Sequence, residues 1–226
     1  MKNTQHKLPL FRGELALAIA VAINSFSVVL MLYSGAGISA ISSVPYAFSQ
    51  TLSFFSLGTW TYIFQAGLIL SLMILRRQFV PTYLFSFAVG FVFSEMLDLH
   101  ELWIHRLPST LSWCVVYFIL SYLLICLGIA LSNRCGLPII PTDLFPRELS
   151  QITRISYPKI KISFDALCLL VTAGMTFLFL GHLKGIGIGT VMAALTMGKV
   201  IGLMGDWLDR HFVFDIYHRH PQKAAA

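Results

Sequence analysis

Apolar positions along this chain are gathered into long blocks instead of alternating or recurring on one helical face. Six blocks stand out: Gly13 to Tyr33, Leu57 to Leu75, Val80 to Leu99, Leu111 to Ser132, Ile162 to Gly181 and Ile186 to Leu208. A bilayer core about 30 Å thick is crossed by roughly 20 residues of helix, so each block predicts a transmembrane helix. The expected fold is all-α: a polytopic membrane protein with six transmembrane helices in one membrane domain over residues 1–226, ending in a tail from 213 to 226. Basic residues before the first block and Ser34-Gly35-Ala36 after it imitate a signal peptide. Its apolar stretch exceeds a signal core, so it reads as a retained span.

The blocks also repeat. Gly37-Ile38-Ser39-Ala40-Ile41-Ser42-Ser43 aligns with Gly136-Leu137-Pro138-Ile139-Ile140-Pro141-Thr142, and Phe64-Gln65-Ala66 with Phe164-Asp165-Ala166. Gly90, Val92, Met96 and Asp98 then match Gly198, Val200, Met204 and Asp206. Repeat 1 covers about 13–106 and repeat 2 about 110–212. Three spans per repeat is an odd number, so the second repeat would enter the membrane from the opposite side. Inverted repeats are a recurring transporter design with the substrate at the interface of the halves.

Two connections do not resemble solvated loops. From Ser34 to Ser56 the chain carries no charge, and Gly35, Gly37 and Pro45 break it among the hydroxyls of Ser39, Ser42 and Ser43. Its counterpart, Asn133 to Lys161, opens with Gly136, Pro138 and Pro141 before Thr142 and Asp143, which can start a short helix through Phe145 to Leu149. Both read as Gly/Pro-rich re-entrant elements, which survive at membrane depth only when buried in protein or lining a wet cavity. For the later part of the second connection, an interfacial amphipathic helix on anionic lipid is the other reading. In this alignment Val44 stands opposite Asp143, so a site formed by the two elements is asymmetric in charge.

Composition sharpens this picture. Of 226 residues, 57% are hydrophobic and only 12% charged, and the mean hydropathy is +0.77. Soluble domains carry roughly 25% charge, which excludes a single soluble domain and a nucleic-acid binder despite a net charge of +6. The basic residues instead orient the spans. With the amino terminus inside, cytoplasmic segments hold Lys2, Lys7, Arg12, Arg76, Arg77, Arg134, Arg147, Arg154, Lys159, Lys161, Arg210, Arg219 and Lys223, whereas outer loops hold Arg106 and Lys184. Both termini are therefore expected on the cytoplasmic side of the membrane. Trp60, Trp103, Trp113 and Trp207 fall near span ends, where interfacial anchors belong.

Polar residues within spans are the candidates for function, because a central charge costs about 2.5–3.5 kcal/mol on insertion scales. Lys199 lies mid-span and reads either as a substrate or proton site or as a structural ion pair. Asp165 follows Lys161 at the i, i+4 spacing that pairs charges on one helix face, and its mate Gln65 lies deeper. Glu95, Asp98 and Asp206 lie near span ends, as gates or as solvated helix-end acids. Asn24 reads as interhelical glue. The cysteines Cys114, Cys126, Cys135 and Cys168 form no C-x-x-C pair and are expected to be free. His211, His218 and His220 read as part of a basic tail, so no metal or cofactor is expected.

The Gly-rich exit of the first span, Ser56-Leu57-Gly58-Thr59 before the second, the run from Gly136 to Asp143 and Gly185-Ile186-Gly187-Ile188-Gly189-Thr190 before the last resemble the YczE and YitT type of bacterial integral membrane protein. The resemblance implies a multi-span inner-membrane protein of a largely uncharacterised family, sometimes grouped with small-molecule exporters. Walker, dinucleotide, H-E-x-x-H and G-x-S-x-G motifs are absent, so neither an ATP-driven pump nor an enzyme is expected. The leading expectation is a secondary transporter of a small solute or ion. Its pathway would be formed by the two Gly/Pro-rich elements with Lys199, Gln65 and Asp165. The rival is a scaffold or substrate-capture subunit, homo-oligomeric or docked on a partner through its basic face from Arg147 to Lys161. Membrane lipid is a partner under either reading.

Overall fold

A computed structural model of the chain describes residues 9–215. The order is β1 (Leu10–Arg12), α1 (Gly13–Tyr33), α2 (Ala40–Thr51), α3 (Leu57–Arg76), α4 (Thr82–Ile104), α5 (Leu111–Ser132), α6 (Pro141–Thr153), α7 (Tyr157–Leu180), α8 (Ile188–His211) and β2 (Val213–Asp215). Six helices, α1, α3, α4, α5, α7 and α8, are long and apolar enough to cross a membrane. They coincide with the six apolar blocks, as expected when block length is set by bilayer thickness. The main differences are at α4, which runs to Ile104 instead of Leu99, and at α7, which begins at Tyr157 instead of Ile162. Ser156 is its extended N-cap residue and Pro158 lies in its first turn, where the missing N–H is of no consequence.

The surface is inverted relative to a soluble protein. Leu102, Leu111, Leu170 and Leu178 are largely exposed, while Asn24, Gln65, Lys161, Asp165, Thr172 and Thr176 are buried. An exterior of Leu and Phe is the surface a helical bundle presents to lipid. A buried polar residue must then find its partner inside the bundle. These are the features of a multi-pass membrane protein.

α1 and α5 cross at the centre of the bundle, and their apolar residues form the larger core cluster. α4 packs on α1 and α8 on α5; α3 packs on α4 and α7 on α8. The short helices tie the halves together: α2 lies against α3 and α7, and α6 against α7 and α3. Glycines permit the close crossings. A Cβ on Gly128 would overlap the Asn24 amide, and one on Gly90 would overlap the Gln65 amide and press on Pro141.

At α3 the Ser56 hydroxyl accepts from the Thr59 N–H at 3.0 Å, and Asp98 of α4 accepts from the Gly58 N–H at 2.7 Å and the Ser56 hydroxyl at 2.6 Å. Asp98 is thus a cap of a neighbouring helix, satisfying the Gly58 N–H, which has no partner within α3. β1 and β2 form a parallel pair, Leu10 opposite Val213 and Arg12 opposite Asp215. The two ends of the described chain therefore meet. Residues 213–215 belong to this pair and not to the tail assigned from sequence; Lys2, Lys7, His218, Arg219, His220 and Lys223 lie outside the described residues.

Candidate functional site

The two unusual connections each fold into a buried short helix. α2 and α6, at 12 and 13 residues, are too short to cross a bilayer. α6 begins at Pro141, whose ring fixes a helical φ at N1. Asp143 lies in its first turn, where the helix dipole favours negative charge. Each helix carries a proline at its sixth position, Pro45 and Pro146. A proline has no N–H to give, so the carbonyls of Ile41 and Thr142 lose their ordinary i+4 helical donor.

Helix register corrects one alignment read from sequence. Counted from the start of each short helix, Asp143 corresponds to Ser42, not Val44. The two connections differ in length ahead of the helix, and aligning Gly37 with Gly136 carries that difference into the helices.

Between the starts of α2 and α6 lies a cavity of about 40 Å³ lined by Asn24, Val28, Ser39, Ile41, Ser42, Phe93, Ile125, Ile129, Ile140, Thr142, Asp143, Lys161 and Met197. One water needs about 10–15 Å³ of such space, so the cavity suits a few waters or a small ion, not a drug-sized molecule. Ten of the lining residues form five pairs at one constant spacing along the chain: Asn24 with Ile125, Val28 with Ile129, Ser39 with Ile140, Ile41 with Thr142 and Ser42 with Asp143. Matching positions of α1 and α5, and of α2 and α6, thus face the same space.

The chemistry is unequal across these pairs. The Ser39 hydroxyl donates to Ser42 Oγ at 2.8 Å. Lys161 Nζ donates to both carboxylate oxygens of Asp165 at 2.6 Å, and the two side chains are only 4% and 1% exposed. The i, i+4 pairing expected from sequence is therefore present. Its setting is different: Lys161, assigned from sequence to the cytoplasmic surface, is buried on α7 and reaches the cavity. Asp143 is also buried. Burial pushes its carboxyl above the usual carboxylate range, while Lys161 and Arg147 oppose the shift. Asn24 Oδ1 is buried against Gly128 with no hydrogen-bonding partner among the described residues. The interhelical glue read from sequence thus leaves its oxygen unused.

Other candidates fall elsewhere. Ser43 bonds Thr172 at 2.8 Å, stapling α2 to α7. Gln65 is fully buried between Gly90 and Pro141, with both amide atoms unpartnered. Gly35 and Gly37 line a second cleft of about 200 Å³ with Tyr46 and Gly187. Gly136 and Pro138 line a third, of about 400 Å³, with Arg76, Tyr83, Arg147 and Glu148. Glu148 there accepts from the Tyr83 hydroxyl at 2.8 Å and pairs with Arg76.

Lys199 does not line the cavity. It is exposed on α8, off the buried stripe of Gly189, Ala193, Met197, Ile201 and Gly205. Glu95 and Asp206 are exposed as well; near Asp206, it is Asp209 that pairs with Arg134 at 2.6 Å. The four cysteines are free, with only Cys114 partly exposed. Among the described residues no cluster of His, Cys, Asp and Glu could hold a metal ion.

The fold and its cavity define a membrane protein with six apolar spans and a small, mainly apolar chamber that carries a few polar side chains between two non-spanning helices. Residues 11–206 match the model of DUF6198, a family of unknown function, and the chain belongs to that family. No curated protein and no solved structure matches it.

Proposed function

We propose that the protein is a secondary carrier for a small solute or ion, built from two inverted repeats (α1–α4 and α5–α8) with the substrate held between α2 and α6. The observation that supports this reading is the set of five pairs at one constant spacing around the cavity, the pattern expected of a chamber between two repeats. The packing agrees: exchanging α1, α2, α3 and α4 for α5, α6, α7 and α8 turns each helix contact into another that is also present. A carrier of this kind works by rocking one half against the other around a fixed site. The clefts beside α2 and α6 are the natural mouths on the two sides.

The excess of Lys and Arg in the segments joined to the termini orients both ends toward the cytoplasm, and the β1–β2 pair keeps the ends together on one face. The bacterial inner membrane and an export direction follow the likeness to the YczE and YitT type. The scaffold reading loses part of its docking face, since Lys161 is buried and ion-paired.

Labelling tests the mechanism. With the four cysteines replaced and Ser42→Cys introduced, an impermeant thiol reagent added to oriented vesicles should modify the cavity from either side. Access from one side only, under every solute condition, refutes alternating access.

A further inference from the structure

The charges around the cavity are not all paired. Lys161 is engaged by both oxygens of Asp165, and Arg147 acts on Asp143 electrostatically without forming an ion pair with it, so Asp143 is left without an ion-pair contact among the described residues. It is 7% exposed, and no hydrogen bond from a described side chain reaches it. Its own helix dipole helps the ionised form by roughly 0.3–1 kcal/mol, and up to about 2 in favourable buried geometry. Desolvating an ion is penalised by several kcal/mol, so the dipole does not suffice.

A second observation points the same way. Asn24 Oδ1, on a side chain 4% exposed that lines the cavity, is an acceptor with nothing to accept from. The Ile41 and Thr142 carbonyls, released by Pro45 and Pro146, add acceptor capacity beside it. The unmet need of this chamber is positive charge and hydrogen-bond donors.

We propose that the cavity binds one small monovalent cation, sodium, potassium or ammonium in size, between Asp143 and Asn24, in competition with a proton on Asp143. Binding displaces that proton to solvent, so charge is conserved: one cation enters as one proton leaves the carboxyl. This rests on the carrier reading and specifies it as cation–proton exchange.

The neighbours of Asp143 are consistent with a single titrating group. From α7, Lys161, Asp165 and Tyr157 face it, and Arg147 does so from its own helix. The ionisable groups that α3 and α4 bring to α6, Arg76 and Tyr83, are taken by Glu148.

The test is proton release from the purified full chain in weakly buffered detergent, read with a pH dye. The probes are sodium, potassium and ammonium chloride, with choline chloride as the control. At least one probe should release up to one proton per chain and raise the unfolding temperature, its apparent affinity weakening about tenfold for each pH unit below the titration. Asp143→Asn should abolish the release, Asn24→Ala should weaken the affinity, and Glu95→Gln should change neither. Absence of both release and stabilisation with all three cations overturns the proposal. So does release that persists in a folded Asp143→Asn, or an effect that follows the anion of the salt. If Asp143→Asn fails to fold, the wild-type pH dependence decides: affinity that does not change with pH overturns the proposal. Release with one-sided Ser42→Cys labelling leaves the cation site standing and removes the carrier; two-sided labelling without release does the reverse.

Discussion

The Lys161–Asp165 pair gives the sharpest energetic prediction. Both side chains are almost fully buried and the contacts are 2.6 Å to each oxygen. Removing one partner of a buried ion pair leaves an uncompensated charge and costs about 3–5 kcal/mol, whereas replacing both by apolar residues is neutral or stabilising by about 1–4 kcal/mol. The two single substitutions are unequal here. Lys161→Met strands two carboxylates, Asp165 and Asp143, and should reach the full loss. Asp165→Leu strands Lys161, but Asp143 is close enough to act on it electrostatically, so the loss should be smaller. The double substitution should return to near wild-type stability. Thermal unfolding in detergent can be followed with a thiol-reactive dye, since Cys126, Cys135 and Cys168 are buried and free. For a chain of this size, about 1 kcal/mol moves the midpoint by roughly 2–4 °C, so Lys161→Met should fall by about 6–20 °C. A wild-type midpoint for Lys161→Met, or a double variant less stable than both singles, refutes the reasoning.

Four further expectations use the same assay. Asp98→Ala removes two hydrogen bonds at the start of α3 and should cost about 0.5–2 kcal/mol, while exposed Asp206→Ala should stay within about 0.5 kcal/mol. Equal effects would show that the two acids have matching roles after all. Gly128→Ala pushes a methyl into Asn24 at the α1–α5 crossing and should destabilise by about 1–3 kcal/mol, and Asn24→Ala should relieve part of that loss; additive losses would place the clash elsewhere. Lys199→Ala should leave stability and proton release unchanged, and a loss of either would return Lys199 to the site. Because burial raises the Asp143 carboxyl, the native chain holds its proton more tightly than the unfolded chain. Stability should therefore fall as pH rises from the ordinary carboxylate range through the raised native value, and Asp143→Asn should flatten that stretch of the profile. A steeper profile in the variant would contradict the sign.

The sequence matches between the first and second halves of the chain guided some expectations and misled others. Phe64-Gln65-Ala66 and Phe164-Asp165-Ala166, which align in sequence, fall at the eighth to tenth residues of α3 and α7 respectively. Asp98 and Asp206 match in sequence, yet one caps α3 and the other is exposed. An identical residue type does not fix its partner, which lies on another element. Gln65 was legible as a polar residue in a span, but its two unmet amide atoms become visible only once Gly90 and Pro141 are packed against it.

By itself the sequence determined the six spans, because lipid as solvent demands a fixed length of apolar helix and leaves backbone polar groups no alternative. It also determined that the connections at 34–56 and 133–161 would not be ordinary loops, since one lacks charge and both are broken by Gly and Pro. Tertiary structure alone decided which lysine is buried at the cavity. Lys199 lies inside an apolar block and Lys161 at the edge of one, and hydropathy averages over all faces of a helix. The small residues that line one stripe of α8 turn Lys199 outward. The packing of α7 against α2, α6 and α8 turns Lys161 inward onto Asp165 and the cavity.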